Sequence, residues 1–114
     1  MMWRRFALAA AILVAAAAGS VDAQQKPKQK PVLHRVTIAA TSFKPAELTI
    51  RAGDSVVWMN RDIIPHTATE AGGKGFDSGT MAIGDSWKHT FKTTGEVPYI
   101  CTFHPTMKGR ITIQ

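Results

Sequence analysis

The sequence predicts an all-β domain built as a sandwich or barrel, and three observations carry that expectation. Short runs of alternating apolar and polar residues recur at roughly ten-residue spacing. Turn-forming clusters separate the runs. After residue 23, no window holds an amphipathic helical repeat. With 114 residues the chain suffices for one core. It is too short for separate substrate and cofactor domains, which favours a small binding or carrier module.

The elements follow in order. Arg4 and Arg5 precede an apolar run of 13 residues, Phe6 to Ala18. That run is shorter than the roughly 18–20 residues needed to span a bilayer, and Val21-Asp22-Ala23 offers small residues for a signal peptidase. Residues 1–23 are therefore predicted to be a secretory signal peptide cleaved after Ala23. Export to the periplasm follows, with no stable membrane insertion after cleavage. Residues 24–31 are lysine-rich and broken by Pro27 and Pro31, as in a flexible leader. Residues 32–114 form the predicted domain.

Within that domain Val36 and Ile38 alternate with Arg35 and Thr37, and Leu48 and Ile50 alternate with Thr49 and Arg51. Val56 and Trp58 share a face; Trp87, His89 and Phe91 share another. Val97, Tyr99 and Cys101 have one parity, and Ile111 and Ile113 close the chain. Lys44-Pro45, Ala52-Gly53-Asp54, Gly72-Gly73, Thr94-Gly95 and Lys108-Gly109 punctuate these runs. Such short strands suggest an antiparallel sandwich or barrel.

Charge and cysteine usage narrow the function classes. The chain carries 14 basic and 8 acidic side chains, a net charge of +6. Loss of Arg4, Arg5 and Asp22 with the signal lowers that by one. The surplus favours encounter with an acidic surface. Nucleic acid is excluded as a partner, because the lysines are scattered and there is neither a basic helix nor an aromatic-rich basic strand. Cys101 is the one cysteine, so no internal disulfide can form. Small exported domains usually need such a cross-link, unless the core suffices or a bound metal adds folding energy.

The densest metal-competent group is Cys101-Thr102-Phe103-His104-Pro105-Thr106-Met107, with donors at i, i+3 and i+6. Three extended residues span about 10 Å, so the segment must curl to bring its donors to one ion. Pro105 restricts His104 and helps fix the turn, and Gly109 is expected to let the chain turn back into the last strand. A fourth donor must come from elsewhere, and His66 in Ile64-Pro65-His66-Thr67 is the best candidate. Two imidazoles, a thiolate and a thioether are the donor set of blue-copper electron-transfer sites, with methionine as the weak axial ligand. Structural zinc sites prefer several cysteines and rarely use methionine.

These motifs resemble the cupredoxin family, and within it the amicyanin branch, from Phe43 to Ile113. The resemblance rests on Phe43-Lys44-Pro45-Ala46, Gly53-Asp54-Ser55-Val56-Val57-Trp58-Met59-Asn60, Pro65-His66-Thr67, Phe76-Asp77-Ser78-Gly79, and Gly95 through Tyr99 to Cys101. The two-residue gap between His104 and Met107 is similar to that branch's short ligand loop. The resemblance implies a Greek-key β-sandwich and one copper ion per chain, cycling between Cu(I) and Cu(II). It also implies a monomer carrying single electrons between redox proteins, an electron donor and an acceptor, whose docking surface the basic charge expects to be acidic. His104 would lie nearest the surface, with Phe103, Pro105 and Thr106 as a docking patch. Two departures stand out. Thr67 replaces the asparagine that in relatives ties the ligand loops together, and Val97 replaces a tyrosine.

Other readings are weaker. A copper-delivery protein would hold its ion loosely and exchange it. A copper enzyme needs an open coordination position, and four protein ligands leave none, so no enzymatic role is expected. A thiol sensor would use Cys101 alone. His34 and His89 read as edge-of-core residues, Met59, Met81, Trp58 and Trp87 as packing residues, and Tyr99 as a core residue with a hydrogen-bonded hydroxyl.

Overall fold

The computed structural model describes residues 11–12 and 29–114. Apart from residues 11–12, the expected signal peptide lies outside the described residues, as do residues 24–28 of the leader. Eight strands follow: β1 (Leu33–Ala39), β2 (Ser42–Lys44), β3 (Glu47–Ile50), β4 (Ser55–Asn60), β5 (Thr69–Glu70), β6 (Ser86–Thr90), β7 (Gly95–Cys101) and β8 (His104–Ile113). They form two four-stranded sheets, ordered β2-β1-β4-β6 and β3-β8-β7-β5. Only β1–β2 and β7–β8 are consecutive strands within one sheet; from β2 to β7 each strand passes to the opposite sheet, which gives the expected sandwich.

The alternation seen in the sequence sets which face each strand buries. In β4, Val56, Trp58 and Asn60 point inward; in β7, Tyr99 and Cys101 do. Met107, Gly109, Ile111 and Ile113 line the inner face of β8. Trp58 is fully buried at the centre, stacked on Phe76 at 5.3 Å and edge-on to Tyr99 at 5.4 Å. Aromatic pairs in such geometry add about 0.5–1.5 kcal/mol each beyond their burial.

Four findings go beyond or against the local pattern. First, two pairings are parallel, β1 with β4 and β3 with β8. Second, Gly109 does not turn the chain. It sits inside β8 opposite Tyr99, and a Cβ there would overlap the Tyr99 ring. Its missing side chain is the seat of that ring. Third, the Tyr99 hydroxyl, expected to be hydrogen-bonded, has no partner at full hydrogen-bond geometry among the described residues, and neither has Trp58 Nε1. Burial pushes the Tyr99 phenol up to about 12. Fourth, β1 and β2 are joined by Ala40-Thr41, with φ of 49° and 55°. Two-residue hairpins with both φ positive favour asparagine and glycine. A left-handed alanine and a β-branched threonine here cost about 1–3 kcal/mol each.

Candidate metal centre

The site is assembled where β7 hands over to β8. Cys101 and His104 are cross-strand partners joined by a two-residue turn, Thr102-Phe103. Partners in an antiparallel pair carry their side chains side by side on one face, so the sequence spacing i, i+3 becomes a spatial contact. His104 Nδ1 lies 3.9 Å from Cys101 Sγ. Beyond this pair the register jumps: Ile100 faces Lys108, while Cys101 faces His104. Pro105, Thr106 and Met107 therefore have no partner in β7 and form a three-residue bulge. An odd insertion resets the side-chain parity. His104 and Met107, three apart, can then both serve the inner side, and Met107 is 4% exposed.

His66 comes from the segment between β4 and β5. Its backbone is fixed by a bridge to Met81, His66 N–H to Met81 O at 3.1 Å and Met81 N–H to His66 O at 2.8 Å. Asn60, the last inward position of β4, secures the same loop. Its amide donates to Ile64 O and Met81 O, and its Oδ1 accepts from Asp62 N–H. A buried amide with its hydrogen bonds made is a rigid strut. The His66 ring is wholly buried, with Nδ1 3.7 Å from Cys101 Sγ. Nε2 lies 2.9 Å from Asp62 Oδ2; an ionised carboxylate only accepts, so Nε2 carries the proton and Nδ1 is left with its lone pair. Asp62 is held below the usual carboxylate range, first by the Thr41 N–H and then by His66.

His66, Cys101 and His104 thus offer one donor atom each, all within 4.8 Å of one another. Bonds of about 2.0 Å to nitrogen and 2.3 Å to sulfur, in one trigonal plane, separate N from S by about 3.7 Å. The two sulfur–nitrogen distances here are 3.7 and 3.9 Å, close to that spacing, so the residues present fit a metal. Residues 31–114 match the family described as copper binding proteins, plastocyanin/azurin family. The chain belongs to the cupredoxin family. Copper is its cofactor, in agreement with a donor set of two imidazoles and a thiolate. Its relatives include amicyanin-alpha of Methylorubrum extorquens, 31% identical over 97% of this chain and 99% of that protein. The amicyanin of Paracoccus versutus is 34% identical over 96% and 95%. Among solved structures, a purple cupredoxin from Nitrosopumilus maritimus superposes with a TM-score of 0.67, at 28% identity over 71% of this chain and 99% of that one.

The departure at Thr67 has a structural answer. Thr67 N–H donates to Cys101 Sγ at 3.4 Å, and Thr67 Oγ1 accepts from Thr102 N–H at 2.9 Å. The hydroxyl therefore ties the two ligand loops together, as asparagine was expected to do. Its own proton is directed too. Asp77 can only accept, so Thr69 donates to Asp77 at 3.1 Å and Thr67 donates to Thr69 at 2.9 Å.

The surface around His104 is apolar. A shallow depression is lined by Ile64, Pro65, Thr80, Phe103 and His104. Phe103 in that lining is 52% exposed. Phe103 was expected in such a patch; Ile64 and Pro65 were not. His34 binds Asp54 at 3.0 Å, and His89 packs against Phe76, Trp87 and Phe91, both away from the metal donors as expected. Burial lowers the His89 pKa, opposed by Glu70.

Proposed function

We propose that this cupredoxin is a periplasmic carrier of single electrons, its copper held by His66, Cys101, His104 and Met107. The observation that carries the reading is the convergence of three soft or borderline donors from two separate loops within 4.8 Å. Copper, when bound, supplies a Cu(I)/Cu(II) couple. The chain supplies everything else. Cys101, as thiolate, and the two imidazoles would form the strong donor set, and Met107, on the bulge of β8, would be the weak fourth donor that tunes the potential. The hydrogen-bonded loops hold these donors at the spacing a metal needs, so little rearrangement accompanies a change of charge. That rigidity also speaks against a delivery protein, which must release its ion readily.

His104 is the half-buried member of the set, and the apolar depression beside it suits a short-lived contact with redox partners, an electron donor and an acceptor. The surplus of basic side chains steers partners with acidic docking surfaces. The mature protein begins after Ala23, with residues 24–31 as leader and 32–114 as the folded domain, and acts as a monomer. Adding Cu(II) to this mature form should give strong visible absorption and narrow copper hyperfine splitting in electron paramagnetic resonance, both lost in Cys101→Ser. Colourless binding would favour the delivery reading instead.

A further inference from the structure

The sequence pattern did not single out Asp62, and it offers no atom to the metal. It stands behind His66. A neutral imidazole has one protonated and one free nitrogen, and its partner decides which is which. His66 is 0% exposed, so water cannot make that choice. We propose that Asp62 is the positioning residue of the metal centre: its carboxylate keeps the His66 proton on Nε2 and reserves Nδ1 for copper. This rests on the assignment of His66 as a ligand.

The carboxylate is itself held in place. Oδ2, which accepts from His66 at 2.9 Å, also accepts Thr41 N–H at 2.9 Å. Oδ1 accepts Ile63 N–H at 3.1 Å, and Asp62 N–H donates to Asn60 Oδ1 at 2.8 Å. Thr41 brings its N–H to this oxygen from the left-handed turn Ala40-Thr41. Strain of that kind concentrates where a group must be placed accurately. The turn between β1 and β2 thus reaches the metal site through one oxygen atom. The carboxylate has a second effect, because a negative charge hydrogen-bonded to a ligand imidazole makes it a stronger donor. The charge favours the oxidised ion over the reduced one.

The test compares wild type with Asp62→Asn, Asp62→Ala and Asp62→Glu in the mature protein. Nitrogen-15 NMR of the metal-free form reads the His66 tautomer, chelator competition reads copper affinity, and potentiometry reads the potential. Wild type should show only the Nε2–H tautomer. Asp62→Asn keeps an acceptor oxygen but removes the charge, so the tautomer should persist while the potential shifts upward. Asp62→Ala removes both; its His66 should populate both tautomers, and copper affinity should fall about 10- to 100-fold. A single Nε2–H tautomer with wild-type affinity in Asp62→Ala overturns the proposal. Should Asp62→Ala fail to fold by circular dichroism, the other two variants decide. Asp62→Glu must lie closer to wild type in potential and affinity than Asp62→Asn, and an Asp62→Asn indistinguishable from wild type overturns it. The tautomer is read without metal, so this result stands apart from whether the wild type turns blue.

Discussion

At the scale of single residues, Thr67 links the two ligand loops with one side chain and one amide. Replacing it with valine keeps the shape but leaves Thr102 N–H without its protein acceptor. Thr102 is exposed, so water can take up that N–H and the loss is that of a net hydrogen bond, about 0.5–1.5 kcal/mol, which Thr67→Val should show in urea denaturation. Thr67→Asn should recover part of it. An unchanged midpoint in Thr67→Val would remove the hydroxyl from the account. The donors His66, Cys101 and His104 were legible in the sequence because few side chains can bind a soft metal, and their spacing was unusual. Asn60 and Asp62 were not. Asn-Arg-Asp reads as an ordinary turn, and only the parity of β4 reveals that Asn60 points inward beneath the His66 loop.

At the scale of elements, β8 does the most to shape the site. Its bulge at residues 105–107 lets a ligand strand pair with Cys101 at one end and carry the core at the other. The sequence showed that the segment must curl, yet not how, since a bulge is a property of two strands in register and neither carries it alone. The same holds for the parallel pairs β1–β4 and β3–β8, whose partners lie far apart in the chain. Gly109 illustrates the difference: beside Lys108 it reads as a turn, but its place opposite Tyr99 makes it a seat for an aromatic ring. Gly109→Ala should cost about 1–3 kcal/mol through overpacking, seen as a lower thermal midpoint with an altered near-ultraviolet signal from Tyr99. A variant of wild-type stability would show that the ring has other room.

At the scale of the whole molecule, Asp54 fastens the end opposite in role to the metal site. It accepts Val32 N–H, Arg51 N–H and His34 Nε2–H, joining the entry to β1, the exit of β3 and the entry to β4. The hydrogen bond from His34 and then those from Val32 and Arg51 lower its pKa from 3.8 to about 2. The sign follows from that direction. The folded protein keeps Asp54 ionised at pH values where the unfolded chain would already be protonated. The stabilisation is therefore fully present above the unfolded value and is lost as pH falls from about 3.8 to about 2. Denaturation measured across that range should show stability falling more steeply in wild type than in Asp54→Asn; parallel profiles would contradict the assignment. The overall sandwich was legible because alternation fixes which residues face the core, whereas this clasp depends on three distant segments meeting at one carboxylate.

Above all these stands the claim that side chains from two loops close around one copper ion. X-ray absorption at the copper edge of the loaded mature protein tests it most directly. The expected result is one short copper–sulfur bond and two copper–imidazole bonds in both oxidation states, with the short sulfur bond absent in Cys101→Ser. A shell of nitrogen and oxygen alone, or one unchanged by that substitution, would contradict the account.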